Sequence, residues 1–381
     1  MRNGVPPKQP LIETINVTEA SLNMLFGDPA TISVERALAE IRSGRPVIVT
    51  GEESAALTLA AESVDSRALR RLRDAGFSDA RLVLSPARLR LLGQEVETAA
   101  SIDIADYDAE SLLNLICQVD AKLESATPRP ARETEGAGLE LVRLAYLLPA
   151  AIVVPLDGLD VSGLVEVETT GIDHYRRHIL TAPHIVSRAP VPLADVGNTE
   201  FVVFRGGEGM RDQVAIIVGD PDPAEAVYVR IHSACLTGDL FGSLKCDCGD
   251  QLRGTVKRMA DMGGGVLLYL DQEGRGNGIA NKIRAYKLQH AGYDTFEADE
   301  ILGFDLDHRR FDFAAAMLRE LGFTRVRLMT NNPVKVAALG EAGLQVVSSH
   351  RVIGRSTEEN RSYLETKRDR AGHIIAKDLK V

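Results

Sequence analysis

Cysteine is scarce in this sequence. Four residues in 381 positions, Cys117, Cys235, Cys246 and Cys248, do not make a disulfide framework. Long apolar runs are missing too, since no stretch approaches the roughly 20 apolar residues that a bilayer crossing requires. No membrane partner is therefore expected. The N-terminal MRNGVPPKQPLIETINVTEA lacks the apolar segment of a signal peptide, which makes the cytoplasm the expected compartment. Basic excess is also absent. The formal net charge of −10 gives nucleic acid no favourable field, so no nucleic-acid partner is expected. An anionic ligand would need a local cluster of cations instead.

What is present fits a soluble globular protein, with 45% hydrophobic and 26% charged residues. The length exceeds one usual domain, so two are expected. Residues 1–30 read as an irregular lead-in. Val34, Ala37, Leu38 and Ile41 then share one helical face that Gly44 ends, and Arg45–Thr50 reads as a strand. A basic helix, a short strand and another helix follow over 66–96, with further helices at 108–123 and Leu139–Leu148 and a strand at Ala150–Val154. The prolines and Gly-Asn of PHIVSRAPVPLADVGNT place a boundary near residue 185. Beyond it come the strands FVVFRG, VAIIVGD, AVYVRIH, VLLYL and VRLMT. Helices are expected at Asp250–Met262, Ile279–Ala291 and 311–321, and another opens at Pro333. The expected class is α/β (mixed α+β), two domains, each a mixed sheet packed with helices.

Three of the four cysteines fall within fourteen positions, 235–248. If Lys245–Cys248 is extended, Cys246 and Cys248 face the same side, and Cys235 returns to complete a thiolate trio. Three protein ligands with a fourth position left for water describe a catalytic zinc site; four describe a structural one. His232 keeps the four-ligand form open, and unligated core cysteines are a further alternative. A local group of cations does occur in this half, at Arg230, Lys245, Arg275, Lys282, Arg284, Lys287, Arg309, Arg310 and Lys335. Asp271-Gln-Glu-Gly-Arg-Gly-Asn-Gly278 joins a strand to a helix, where glycines allow close backbone approach and a helix N-terminus favours phosphate. Glu273 and Arg275 offer hydrogen bonds to a base and a phosphate. Thr330, the N-cap candidate Asn332, Pro333 and Lys335 make a second phosphate candidate or simply a well-capped helix. Asp307-His308-Arg309-Arg310 reads as an acid/base carboxylate beside guanidinium groups, or as a charged loop.

In combination these segments resemble GTP cyclohydrolase II of riboflavin synthesis. The carriers are Cys-Leu-Thr-Gly-Asp, Ser-Leu-Lys-Cys-Asp-Cys-Gly, Gln-Glu-Gly-Arg-Gly, Asn-Lys-Ile-Arg-Ala-Tyr, Gly-Tyr-Asp-Thr and Thr-Asn-Asn-Pro, continuous over about 200–350, with Tyr363-Leu-Glu-Thr-Lys in the tail. The resemblance implies one zinc ion per subunit, held by Cys235, Cys246 and Cys248, that activates the water attacking C8 of guanine. It implies Asp307 as proton acceptor, Arg309 as the group that attacks the α-phosphorus, and Tyr286 beside the reacting ring. GTP binding would fall to Arg230, Ile231, His232, Ser233, Ala234, Gln251, Glu273, Gly274, Arg275, Thr295, Thr330 and Lys335. Magnesium would accompany the triphosphate, and the family suggests a homodimer. The sequence departs from the family pattern at Ala234, where a glutamate is usual, and at Leu270-Asp271, Asn277 and Arg310. No ligand or proposed catalytic group is lost.

The first half resembles 3,4-dihydroxy-2-butanone 4-phosphate synthase at Val34–Thr50 and Thr134–Ala151. Where that family carries an acidic magnesium-binding loop, Gly51-Glu-Glu-Ser-Ala-Ala-Leu stands, and Glu133 occupies the place of a histidine. The expected organisation is a degenerate synthase-like domain over 1–185, without synthase activity, and a cyclohydrolase domain over 186–381.

Overall fold

The computed structural model describes residues 27–77, 79–123, 127–156, 161–178, 183–194, 196–206, 211–304, 311–352, 354–370 and 372–374. It contains two mixed sheets of seven strands each, in the expected class.

The first sheet comprises β1 (Val47–Thr50), β2 (Ala55–Ala60), β3 (Arg81–Leu84), β4 (Ala100–Asp103), β5 (Arg129–Pro130), β6 (Ala150–Pro155) and β7 (Glu166–Glu168), in the order β5-β4-β3-β6-β2-β1-β7. Its first helix, Pro29–Arg42, starts where the Asp28 carboxylate accepts from the Thr31 amide and Pro29 takes the first turn. Val34, Ala37, Leu38 and Ile41 of this helix are buried against the sheet, as their spacing requires. The helix expected at Leu139–Leu148 starts earlier, at Glu133, and ends at Leu144.

The second sheet comprises β8 (His184–Pro190), β9 (Thr199–Arg205), β10 (Gln213–Gly219), β11 (Val227–Ser233), β12 (Gly264–Leu270), β13 (Arg325–Met329) and β14 (Gln345–His350), in the order β14-β13-β11-β12-β10-β9-β8. The proline-bearing segment near 185, expected as a boundary, contains the edge strand β8. An edge strand tolerates proline because one side of it makes no ladder.

β12, β11, β13 and β14 run parallel, so their carboxyl ends share one edge of the sheet. The chain moves from β11 to its neighbour β12, then crosses back over β11 to reach β13. Such a reversal opens a crevice beyond the carboxyl ends of the strands, where ligands of α/β folds bind.

Each sheet has its own core, and the first sheet's core also draws on the second half of the chain. The apolar cluster under the first sheet, around Leu82, Leu89, Ile102 and Ile152, takes in Ala285, Ala298, Leu302 and Phe304 from the second half of the chain. Burying a side chain such as Leu302 or Phe304 contributes about 1.5–3 kcal/mol. The helices Ile279–His290 and Thr295–Ile301 therefore lie on the first domain as well as on the second.

Candidate metal and nucleotide site

β11 ends at Ser233, and the Ala234 amide donates to the Leu270 carbonyl of β12 at 2.7 Å. Cys235 then precedes the short helix Leu236–Asp239. The chain turns through Gly242, at φ 64°, and returns Cys246 to the same point. Cys248 does not lie on a strand with Cys246. It opens the helix Cys248–Asp261, and the residue between them, Asp247, bends at φ −102° and ψ 10°. The expectation of an extended Lys245–Cys248 is thus corrected: the helix start, rather than the strand period, gathers these sulfurs.

The three sulfurs lie within 4.8 Å of one another, the one such group of metal-binding side chains among the described residues. Sulfurs bound 2.3 Å from one tetrahedral zinc ion stand about 3.8 Å apart, and Cys235 and Cys246 are separated by 3.6 Å. The Cα of Gly238 closes over the cluster so tightly that a Cβ there would sit 2.7 Å from the Cys246 sulfur. Donor chemistry and spacing both fit zinc.

Of the trio, Cys235 is the thiol whose pKa is lowered. Hydrogen bonds from the Cys246 and Cys248 thiols, and then the nearby Lys282 charge, hold its pKa far below the ordinary thiol value. The converse falls on its neighbours: hydrogen bonding to Cys235 pushes Cys246 up to about 11 and Cys248 well above its usual value. A divalent cation between them removes that conflict, because metal binding displaces the protons. Lys282 donates to the Cys235 sulfur at 3.0 Å and to Glu273 Oε1 at 2.6 Å. The other Glu273 oxygen accepts the Leu236 amide at 2.7 Å, which fixes the helix that follows Cys235.

His232 is not a fourth ligand. Its Nε2 lies 3.1 Å from both carboxylate oxygens of Asp239, and its ring stacks on Tyr269 with centroids 5.6 Å apart. Burial, more than the opposing pull of Asp239, lowers its pKa. Asp239 also accepts from the Cys235 amide at 2.9 Å and the Tyr269 hydroxyl at 3.0 Å. His232 and Tyr269 thus hold Asp239, which holds Cys235.

The three cysteines line a cavity of about 460 Å³ at the carboxyl edge of the parallel strands. A model of the family described as GTP cyclohydrolase II matches residues 184–351. GTP cyclohydrolase-2 of Xylella fastidiosa is 47% identical over 355 residues, covering 92% of this chain and 89% of that one. The chain belongs to the GTP cyclohydrolase II family. GTP cyclohydrolase-2 of Azospirillum brasilense is 40% identical over 368 residues, covering 91% of this chain and 95% of that one. Both alignments are longer than the span of the family model, so they include much of the first half. The crystal structure of RibBX, a two domain 3,4-dihydroxy-2-butanone 4-phosphate synthase from A. baumannii, covers 84% of this chain and 99% of that chain. The identity is 19% and the TM-score 0.31.

Most residues expected at a site of this family line the cavity: Arg230, His232, Ser233 and Ala234 from the end of β11, Gln251, the turn Glu273–Arg275, Tyr286, Thr295, Thr330 and Lys335. Ile231 is placed differently. Its side chain is buried in the second core, and its carbonyl accepts from Lys335 Nζ at 2.8 Å. Lys335, in the first turn of the helix Pro333–Glu341 as expected, lines the cavity while 6% exposed and anchored by that bond. Arg275 lies against Phe296 and pairs with Asp299 at 2.7 Å. Tyr286 Oη is 3.3 Å from Thr237 Oγ1, and burial raises its pKa. Arg284, counted among the cluster cations, instead pairs with Glu62 of the first domain. Asp307, Arg309 and Arg310 lie outside the described residues.

Of the lining residues that sequence reasoning missed, one group comes from the tail. Tyr363, Thr366, Lys367 and Arg370 of the helix Arg361–Asp369 and its end line the same cavity, as does His373. Lys367 lies over the Tyr363 ring at 4.1 Å and 3.4 Å from Asp247, the residue between two of the cysteines. Tyr363 and Lys367 are four apart, one helical face, and that spacing was the available signal. Lys282 and Tyr286 share the same spacing on the helix Ile279–His290.

Proposed function

We propose that the chain is a zinc-dependent GTP cyclohydrolase II. It hydrolyses GTP to 2,5-diamino-6-(5-phosphoribosylamino)pyrimidin-4(3H)-one, formate and pyrophosphate, the first committed step of riboflavin biosynthesis. The observation that carries this reading is the cysteine trio in a cavity also lined by buried cations, in a chain of this family. One zinc ion per subunit is held by Cys235, Cys246 and Cys248. Bound there, zinc lowers the pKa of water towards neutrality and so supplies the nucleophile for opening the imidazole ring.

The chain's own groups do the rest. Three thiolates around a divalent cation leave one net negative charge, which Lys282 at Cys235 offsets. Arg230 and Lys335, 7% and 6% exposed, present fixed positive charge where the nucleotide's phosphates bind. Magnesium accompanies the triphosphate. Tyr286 flanks the reacting ring, Asp307 accepts the proton, and Arg309 attacks the α-phosphorus, breaking its bond to the β-phosphate and releasing pyrophosphate, after which water cleaves the arginine–phosphorus bond to leave the monophosphate. The enzyme works as a cytoplasmic homodimer without nucleic-acid or membrane partners. Among the described residues, no helix is long and apolar enough to cross a membrane.

Residues 1–185 form a synthase-like domain without synthase activity, and 186–381 form the cyclohydrolase domain. Glu133, in the histidine's place, hydrogen-bonds Thr169 Oγ1 and packs so close to Gly51 that a Cβ there would meet its carboxylate at 2.8 Å. Conversion of ribulose 5-phosphate to the butanone phosphate and formate by the purified protein would refute this part.

The deciding experiment follows GTP turnover for both formate and pyrophosphate, in wild type and Cys248→Ser. Both products are expected from wild type, with zinc and activity lost together in the variant. Formate without pyrophosphate would point to a GTP cyclohydrolase of another pathway. Zinc and GTP binding without formate would make the chain a nucleotide sensor.

A further inference from the structure

Among the described residues, two that carry side chains adopt left-handed backbone conformations: Tyr146 at φ 62° and Arg275 at φ 63°. Conformations of this kind persist where the surrounding structure over-determines them, and they concentrate at functional sites. The two residues belong to different domains and meet at one junction. Arg275 lies in the turn Glu273–Gly276, after Gly274 at φ 61°, and faces the cavity. Gly278 ends this turn at φ 86°, and a Cβ there would stand 3.1 Å from the Tyr146 Cβ. Asn281 donates to the carbonyls of both Tyr146, at 3.2 Å, and Asn277, at 2.9 Å. Arg211 stacks over the Tyr146 ring at 4.9 Å and bonds Asp271 at 2.7 Å, just before the turn. Tyr146 thus touches the turn at Gly278 and Asn281, and through Arg211 at Asp271.

A second set of contacts lies 20 to 25 residues further on. Arg88, 1% exposed, donates to the Leu115 carbonyl in its own domain and to the Ile301 carbonyl in the other, both at 2.7 Å. Ser85 Oγ donates to the Gly303 carbonyl at 2.5 Å. A buried guanidinium that satisfies the carboxyl ends of two helices, one from each domain, fixes their relative position. Between these two anchor points run the helices that carry Lys282, Tyr286, Thr295 and Asp299 to the cavity.

We propose that the first domain is a positioning platform for the nucleotide site: Tyr146 fixes the turn that holds Arg275, and Arg88 with Ser85 fixes the end of the helix that carries Thr295 and Asp299. The assignment of a substrate to the cavity rests on the reading above; the mechanical role does not. The domain works without chemistry of its own, by supplying one side of the packing that the 273–304 segment needs.

Two variants of the full chain test this from opposite sides. Tyr146→Asn removes the ring, and Asn accepts the left-handed conformation, so the local fold survives. Gly303→Ala inserts a Cβ that would meet Pro149 Cγ at 3.0 Å and Ser85 Oγ at 3.1 Å, and it strains a backbone held at φ 86°, disturbing the contact between the domains at residues outside the cavity lining. In both, amide exchange over 273–304 is expected to quicken relative to wild type, while zinc content stays at wild-type level. KM for GTP is expected to rise about tenfold, as displacement of a binding wall produces, with kcat changed less. Folded variants with wild-type exchange and wild-type KM would overturn the proposal and make the first domain a passenger. Should wild type fail to turn over GTP, the functional reading falls, and the exchange measurement still decides the platform.

Discussion

Lys282 places its ammonium 3.0 Å from the Cys235 sulfur, in the interior of the site, where its side chain is 12% exposed. Burial disfavours its charge; the Cys235 thiolate and the Glu273 carboxylate more than restore it, and its pKa lies above the ordinary lysine value. Lys282→Met leaves Glu273, 6% exposed, as an unpaired buried carboxylate, a change that costs about 3–5 kcal/mol. The expected outcome is that loss in denaturant unfolding, together with faster release of zinc to a chelator. Lys282→Arg keeps the charge and should recover most of the stability. Wild-type unfolding in Lys282→Met would show that the pair is not coupled to the fold.

Local chemistry was readable before the structure, and long-range packing was not. Asn332 and Pro333 were read as a helix start, and the Asn332 side chain does accept from the Val334 amide at 2.9 Å. Spacing points to the cysteine trio, yet Cys248 joins its partners from a helix start rather than from the strand that alternation predicts. β14, QVVSSH, escaped notice since its polar residues are half exposed at a sheet edge and show little contrast. The charged tail reads as partly helical, and Arg361–Asp369 is a helix; its place at the cavity is not legible, because it packs there through Tyr363 and Lys367, not through an apolar stripe. Arg88 reads as a surface residue. Only the fold brings four backbone carbonyls to its guanidinium and buries it.

Gly238 tests the fit of the metal cage without touching a ligand. It sits in the short helix Leu236–Asp239, where alanine is conformationally easy. Only steric contact opposes the change, since a Cβ would lie 2.7 Å from the Cys246 sulfur and 3.0 Å from the Cys235 sulfur. Gly238→Ala should therefore yield folded protein with zinc well below one ion per chain and formate release reduced in proportion. Full zinc occupancy in this variant would mean that the sulfurs have more room than the geometry allows.

Acid should loosen the tail through Asp294. Its Oδ1 accepts the Phe296 and Glu297 amides, capping the helix Thr295–Ile301, and its Oδ2 accepts from Arg370 at 2.6 Å. Burial works to raise its pKa; the Glu297 amide, Arg370 and the Phe296 amide outweigh it, and the net value lies below 3.8. A depressed carboxylate stabilises the fold fully above its unfolded pKa and loses that contribution as pH falls through the folded value. Asp294→Asn retains a capping oxygen and loses the charge. The thermal midpoint of wild type should thus exceed that of the variant at pH 7, with the gap closing as pH drops below 3.8. A gap that is constant over that range would assign the effect to capping alone.

The cysteine loop and the floor of the cavity are joined to the tail by one polar chain. Lys367 pairs with Asp247 at 3.4 Å, Asp247 accepts from Gln251 at 2.5 Å, and Gln251 accepts from Arg230 at 2.5 Å. Arg230 in turn donates to the Met329 carbonyl at 2.9 Å. Gly354 packs on the same carboxylate, where a Cβ would stand 2.7 Å from the Asp247 Cβ. Removing the cation at one end should let Asp247 and then Gln251 shift, moving Arg230 where the nucleotide binds. Lys367→Met is expected to raise KM for GTP about tenfold, the equivalent of one charge-assisted hydrogen bond. Lys367→Arg should restore it, since a guanidinium reaches the same carboxylate. Zinc content separates this route from simple loss of the metal, because Asp247 is no ligand and occupancy should hold near wild type. An unchanged KM in Lys367→Met would confine the tail helix to packing and remove it from the substrate site.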